Sequence, residues 1–233
     1  MQLEACFRKG MNQANRPCII WGATGQAKVA YDILFAEGSE VIHLFDNNSN
    51  IESPLPGIPI SYGPKGLLSF IAALRDQKLS PSDIDCIAAI GGGNGKARET
   101  MTQLMHSHGF TPRSLIHKSA IISPFADIGE NVQLLAGSII GAFASLGDYV
   151  IINSGANVDH DCEIGKGSHL APMAALAGEV VVGEDVFIGT NATVLPRLKI
   201  DDKALVGAGA VVTKNIPSGA IVAGNPARAL QKK

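Results

Sequence analysis

Two histidines, His160 and His169, lie nine positions apart in the stretch NSGANVDHDCEIGKGSHLAP, residues 153–172. His160 stands between two acids, Asp159 and Asp161. An adjacent carboxylate fixes the tautomer of an imidazole and raises its basicity, as a general base requires. These residue types predict proton-transfer chemistry at His160, with a hydrogen-bonded surface histidine as the alternative interpretation. The other histidines are interpreted as structural: His43, His106, His108 and His117.

The residues around this pair follow a period of six. Every sixth position from Ile116 to Val212 is aliphatic, seventeen in all without an insertion, and the residue four positions later is mostly small. Neither a helix nor an ordinary strand has this period, whereas a hexapeptide repeat makes one short strand and one turn of a three-sided coil. With coils ~4.8 Å apart, the sequence predicts a triangular prism roughly 28 Å tall.

This predicted prism determines where the two histidines point. Nine residues are one and a half sides of a coil, so His160 and His169 should project from different parts of one prism and not meet within a chain. They converge only if prisms pack side by side, which predicts a cyclic trimer with shared clefts. Cys162 occupies a small inward position, which packing explains better than reactivity.

The first half of the chain alternates strand-like and helix-like segments, which is typical of parallel strands joined by crossovers. We therefore expect a flexible extension over 1–16, an α/β Rossmann-like domain over 17–110 and an all-β helix of hexapeptide repeats over 111–233. Met11 is a possible alternative start.

GATGQAK lies between a strand and a helix, and helix N-termini favour anions. Asp46 follows Gly25 by 21 residues, near the spacing of a ribose-binding acid. The domain is too short for a whole dinucleotide.

Composition excludes several classes of partner. The chain is 46% hydrophobic and 17% charged with a net charge of −2, which argues against nucleic acid or an anionic membrane surface. Its segments fall short of the ~20 apolar residues that cross a bilayer, and no signal-peptide pattern is present. The four cysteines form no CxxC pair. We expect a cytoplasmic protein with reduced thiols and no metal.

A family resemblance covers about residues 17–230. INSGANVDHDCEIGKGSHLAPMAALAGEVVVGEDVFIGTNATVLPRLKI and VGAGAVVTKNIPSGAIVAGNPARAL resemble bacterial sugar acetyltransferases of the left-handed β-helix class. IIWGATGQAKVAYDIL and FDNN match the same group, whose members acetylate nucleotide-linked 4-amino sugars or, in a related branch, the hydroxyls of sialic acid. The resemblance implies an acetyl-CoA-dependent enzyme with a left-handed coil, working as a homotrimer in bacterial surface glycan biosynthesis.

The resemblance also implies roles for individual residues. His160 would be the general base, Asp161 would increase its basicity, and His169 would contact acetyl-CoA. Asn153 would meet the sugar or the acyl carbonyl. The pantetheine arm would run along a groove between prisms beside Gly178, Thr190 and Ala208.

The nucleotide part of the sugar donor would bind the first domain, at Thr24, Gly25, Gln26, Asp46, Asn47 and the GGGNGK segment around Gly92. Gln26 stands where the family usually has His, and Asn47 where it has a second Asp. The resemblance therefore does not determine which nucleotide or which sugar is bound. Acetylation of a hydroxyl needs the same base as acetylation of an amine and is therefore an alternative.

Two further alternatives belong to other classes. A zinc enzyme on the same prism, such as a γ-class carbonic anhydrase, uses three histidine ligands, and His160 and His169 do not have its spacing. A non-catalytic module would use the hexads for assembly and the α/β domain to sense a nucleotide.

Overall fold

A computed structural model describes residues 16–76 and 79–230, so the expected extension lies largely outside the described residues. The chain forms two compact units. The first runs to Ile90 and resumes over Ala97–Leu115, and the second comprises Gly91–Lys96 and the chain from Ile116 onward. The sequence had placed 91–96 in the first domain. These residues group with the coil because their glycine backbone packs against Gly167 and Asp185. None of the described helices is long and apolar enough to cross a membrane.

The first unit contains a parallel five-stranded sheet with strand order β3-β2-β1-β4-β5. Its central strand CIIW is buried at all four positions, as expected for a parallel strand covered on both faces. The strands are Cys18–Trp21 (β1), Val41–Asp46 (β2), Ile60–Tyr62 (β3), Asp85–Ala88 (β4) and Thr111–Pro112 (β5). The helices are Gly25–Ala36 (α1), Gly63–Asp76 (α2) and Gly95–Ser107 (α3), with a 3-10 turn at Pro81–Asp83.

Gly22 directly follows β1 and is required by a close backbone approach. Its φ is +106°, and a methyl group there would lie 2.4 Å from the carbonyl oxygen of Ala89. A side chain at this position would therefore collide with the end of β4. Gly22, the first residue of GATGQAK, therefore allows the chain to pass close to Ala89.

The second unit confirms the hexad prediction. Each of the seventeen predicted aliphatic positions is the second residue of a two-residue strand. The strands are Leu115–Ile116 (β6), Ile121–Ile122 (β7), Asp127–Ile128 (β8), Gln133–Leu134 (β9), Ile139–Ile140 (β10), Ser145–Leu146 (β11), Ile151–Ile152 (β12), Asn157–Val158 (β13), Glu163–Ile164 (β14), His169–Leu170 (β15), Ala175–Leu176 (β16), Val181–Val182 (β17), Phe187–Ile188 (β18), Thr193–Val194 (β19), Lys199–Ile200 (β20), Leu205–Val206 (β21) and Val211–Val212 (β22). The chain ends in Ile221–Ala223 (β23) and Arg228–Ala229 (β24).

Every third strand pairs in parallel, which gives the coil three faces. We name the sheet from β7 to β22 the first face, the sheet from β8 to β20 the second face, and the sheet from β6 to β24 the third face. The aliphatic positions fill the interior, with Val158, Leu170 and Leu176 fully buried. Ala156 and Cys162 fill the small inward positions, so the packing role predicted for Cys162 is confirmed.

Candidate active site

His160 lies at the corner between the first and second faces, in the turn from β13 to β14. Its ring Nδ1 is 2.8 Å from Asp161 Oδ2, and both side chains are 53% exposed. Its backbone N–H donates to Asp159 Oδ1 at 2.8 Å. Asp161 has a left-handed backbone, with φ of 56°, at a position that many corners of the coil share. The turn geometry therefore holds both acids against the histidine.

The electrostatic environment makes His160 a stronger base than a free imidazole. Its pKa is raised, chiefly by the hydrogen bond with Asp161 and further by the charges of Asp159, Asp161 and Glu179, against a smaller opposing effect of burial. Because Nδ1–H donates to Asp161, the neutral ring carries its lone pair on Nε2. The pair can therefore accept a proton at Nε2 while Asp161 stabilises the resulting imidazolium.

His169 is in β15 on the third face, so the two histidines do not share a face of the chain. It is 4% exposed and lies in a chain of hydrogen bonds. The Ser154 N–H donates to Asn153 Oδ1 at 2.8 Å, which turns the Asn153 amide nitrogen toward His169 Nε2 at 3.1 Å. An amide donor at Nε2 assigns the ring proton to Nδ1, which is 3.3 Å from the Gly92 carbonyl oxygen.

In this chain the hydrogen-bonding ring atoms of His169 therefore face protein groups. Asn153 contacts His169, and its expected contact with the sugar or the acyl carbonyl stays a prediction. A direct contact of His169 with acetyl-CoA stays a prediction.

Sequence reasoning missed two residues around this histidine. Phe187 packs edge-on against the His169 ring, with 5.3 Å between centroids. A methyl group on Gly95 would lie 2.2 Å from Asp185 Oδ1, so this carboxylate packs against the backbone of the Gly91–Lys96 segment. One coil is eighteen residues, so Asp185 and Phe187 follow Gly167 and His169 by one coil, and the hexad spacing could have revealed both.

The residues expected to line the cofactor groove lie on two corners. Gly178 follows His160 by one coil at the first–second corner, whereas Thr190 and Ala208 occupy successive coils at the corner between the third and first faces. Thr190 and Ala208 are exposed, and the Thr190 carbonyl accepts the N–H of Gly209 at 2.8 Å. These two corners flank opposite sides of the first face, and the expected place of all three residues along a groove between prisms stays a prediction.

The predicted nucleotide residues lie at the ends of β1 and β2. Asp46 accepts the N–H of Ala23 at 2.9 Å and that of Asn48 at 2.9 Å, which joins the two loops. Thr24 is the N-cap of α1 without a side-chain hydrogen bond to it, and Gly25 is its first residue. Thr24, Gly25 and Asn47 are exposed, while Gln26 and Asp46 are half-buried. Their contacts with a nucleotide, and those of the Gly92 segment, stay predictions.

The described residues contain no group of three or more His, Cys, Asp or Glu side chains positioned to hold a metal ion.

The coil of hexads can now be compared with known proteins. The family model "Bacterial transferase hexapeptide (six repeats)" matches residues 179–214. The chain is 37% identical to PerB from Caulobacter crescentus, solved with CoA and GDP-perosamine, over 92% of this chain and 97% of that one, with a TM-score of 0.79. The chain belongs to the bacterial hexapeptide transferase family.

Two further comparisons agree with this membership. The acetyltransferase domain of PglB from Neisseria gonorrhoeae, solved with acetyl coenzyme A, is 33% identical over 93% of this chain and 100% of that chain, with a TM-score of 0.77. A 2,3,4,5-tetrahydropyridine-2,6-dicarboxylate N-acetyltransferase of Staphylococcus aureus is 40% identical over 76 residues. That match spans 29% of this chain and 32% of the curated relative.

Proposed function

We propose that this protein transfers the acetyl group of acetyl-CoA to the amine of a nucleotide-linked 4-amino sugar, in the cytoplasm, for bacterial surface glycans. The observation that carries the proposal is the exposed His160–Asp161 pair at a corner of the coil, with Nδ1 bound and Nε2 able to accept a proton. The similarity to PerB, solved with CoA and GDP-perosamine, supports the substrate class.

The reaction is a direct transfer. The amine nitrogen attacks the thioester carbonyl, and His160 Nε2 takes the proton that this nitrogen releases. The tetrahedral intermediate collapses as the carbon–sulfur bond breaks, and the CoA sulfur leaves with the proton returned by His160. Binding both reactants side by side supplies much of the rate, so no nucleophilic Ser or Cys is required. Backbone N–H groups along the cleft stabilise the oxyanion.

The working form is a homotrimer with sites between chains. Large apolar side chains are exposed on the first face and its two corners: Ile121, Phe125, Ile139, Phe143 and Met173. Phe125 and Phe143 stack with centroids 5.3 Å apart at the corner that carries His160. A clustered apolar surface of this kind supports an interface, and a second copy would cover it. The groove would then lie between the His160 corner of one chain and Thr190 and Ala208 of its neighbour.

The remaining features complete the proposal. The coil winds left-handed, and the first unit is Rossmann-like and binds the nucleotide through Thr24, Gly25, Gln26, Asp46 and Asn47. The Ala23–Asp46 hydrogen bond supports this site, because it brings the two loops together at the carboxyl ends of neighbouring strands. Buried free thiols at Cys18, Cys86 and Cys162 support a cytoplasmic location.

A substrate panel tests the proposal. Purified protein is incubated with acetyl-CoA and UDP-, GDP-, dTDP- or CMP-linked 4-amino sugars, with free sialic acids as hydroxyl acceptors, and thiol release and product mass are followed. Acetylation of one amino sugar with stoichiometric CoA release is the expected result. Transfer to sialic acid alone would contradict the proposed N-acetylation and support O-acetylation. Absence of CoA binding by calorimetry would favour the non-catalytic module.

A further inference from the structure

Gly178 has an unusual neighbour for a glycine of the coil. A methyl group at this position would lie 2.4 Å from His160 Nε2, 2.5 Å from Cε1 and 3.0 Å from Cδ2. The three nearest atoms therefore all belong to the imidazole. At Gly141 and Gly165, by contrast, the nearest atoms belong to the backbone of the next coil. The ring of His160 lies directly over the missing side chain of Gly178.

The backbone itself does not require a glycine at this corner. The φ of Gly178 lies outside the left-handed region that favours glycine. The equivalent positions one coil before His160 and one coil after Gly178 are Ala142 and Pro196, which both carry a Cβ. The equivalent corner positions of neighbouring coils therefore accept side chains, and Gly178 differs from them in having the ring of His160 above it.

We propose that Gly178 is a positioning residue for His160: its missing side chain makes the space in which the imidazole lies while Nδ1 stays bonded to Asp161. This inference rests on the proposed function of His160, and it gives Gly178 a different task from the cofactor groove inferred from the family resemblance. A side chain at position 178 would turn the ring of His160 away. The ring would then lose its hydrogen bond to Asp161 and the orientation of Nε2.

Gly178→Ala is a clean perturbation, because the atoms that would collide with the new methyl group are the end of a half-exposed side chain. The ring can move into solvent at little cost to the fold. In Gly165→Ala, the matched control, a methyl group would lie 2.4 Å from the backbone of Gly183, which cannot move freely. We expect Gly165→Ala to lower the Tm more than Gly178→Ala does.

The test combines ring NMR with kinetics. In Gly178→Ala the His160 ring should titrate at a lower pH than in the wild type, since the hydrogen bond to Asp161 is lost. The kcat should fall about 100-fold, as expected for a displaced catalytic group, while the Kd for CoA stays unchanged. In Gly165→Ala the titration of His160 should not move.

A double variant separates this role from cofactor binding. With His160→Asn already present, Gly178→Ala should cause little further loss of kcat. An unmoved His160 titration with wild-type kcat in Gly178→Ala would overturn the inference. So would weaker CoA binding in both backgrounds, which would return Gly178 to the groove. Because the ring titration does not depend on turnover, it tests Gly178 even if His160→Asn proves fully active.

Discussion

Asp161 controls the proton affinity of His160 through one hydrogen bond of 2.8 Å. A raised pKa has two opposing consequences for a general base. It strengthens the base once the ring is neutral, but it also widens the acidic range in which the ring is already protonated and inactive. If His160 is the base, as proposed, the pH dependence of turnover reports directly on this pair.

Asp161→Asn should move the acid limb of the kcat/KM profile to lower pH. The amide still accepts the Nδ1–H but carries no charge, so the pKa of His160 falls toward its ordinary value. The plateau should also fall, because a weaker base removes the proton less well. A pH–rate series on both proteins measures this effect, and an unmoved acid limb would exclude the pairing.

A second histidine, His43 in β2, makes stability depend on pH. Its ring packs against Phe45 and Phe70, with centroid distances of 4.8 and 4.6 Å, and Nε2 is 2.9 Å from Ser61 Oγ. Burial lowers the pKa of His43 from 6.5 to about 4. The unfolded chain therefore binds a proton that the folded chain does not bind between these values.

The free energy of unfolding should accordingly be complete above pH 6.5 and fall as the pH drops toward 4, by on the order of 3 kcal/mol. His43→Gln, which stays neutral and can still bond Ser61, should remove this slope. Denaturant titrations at several pH values measure the effect. An equally steep slope in the variant would assign it to other groups.

At the scale of residues, the sequence revealed contacts between neighbours in the chain and missed those made by folding. The His160–Asp161 pair follows from adjacency. The bond from His169 to Gly92 joins residues 77 positions apart, and it depends on the backbone path of a glycine loop. Composition does not encode that path. The family resemblance placed Gly178 beside the cofactor, and no pattern in the sequence indicates that the ring of His160 lies over this glycine.

The coil is the element whose structure follows most directly from the sequence. Its period of six predicted all seventeen strands because each inward position must be aliphatic and each hexad repeats one geometry. The segment Gly91–Lys96, placed in the first domain by the sequence, groups with the coil in the structure, since a glycine turn after a strand looks the same whether it holds a phosphate or packs on a coil.

Truncation of an inward leucine of the coil should lower the free energy of unfolding far more than truncation of an outward leucine. Leu176 is fully buried, so Leu176→Ala should lower the free energy of unfolding by about 2–5 kcal/mol through lost burial and a cavity. Leu205 is 37% exposed, and Leu205→Ala should change it by only about 0.5 kcal/mol. Chemical denaturation compares the two variants. Equal losses would contradict the assignment of inward and outward positions.

For the whole molecule, the proposed trimer makes activity depend on the exposed first face. Phe143→Glu places a charge in the Phe125–Phe143 stack, so it should dissociate the proposed trimer and reduce turnover by completing fewer shared sites. Phe35→Glu is the matched control, because Phe35 is 71% exposed on α1 in the other unit. Sedimentation velocity and turnover are measured together. A wild-type protein that is monomeric and fully active would contradict sites shared between chains.

The most direct test of the account is the turnover of His160→Asn with acetyl-CoA and the amino sugar that the panel identifies. Asparagine cannot accept the proton, so we expect kcat to fall at least about 100-fold while the Kd for CoA and the oligomeric state stay those of the wild type. Wild-type turnover in this variant would contradict the assignment of His160 as the base.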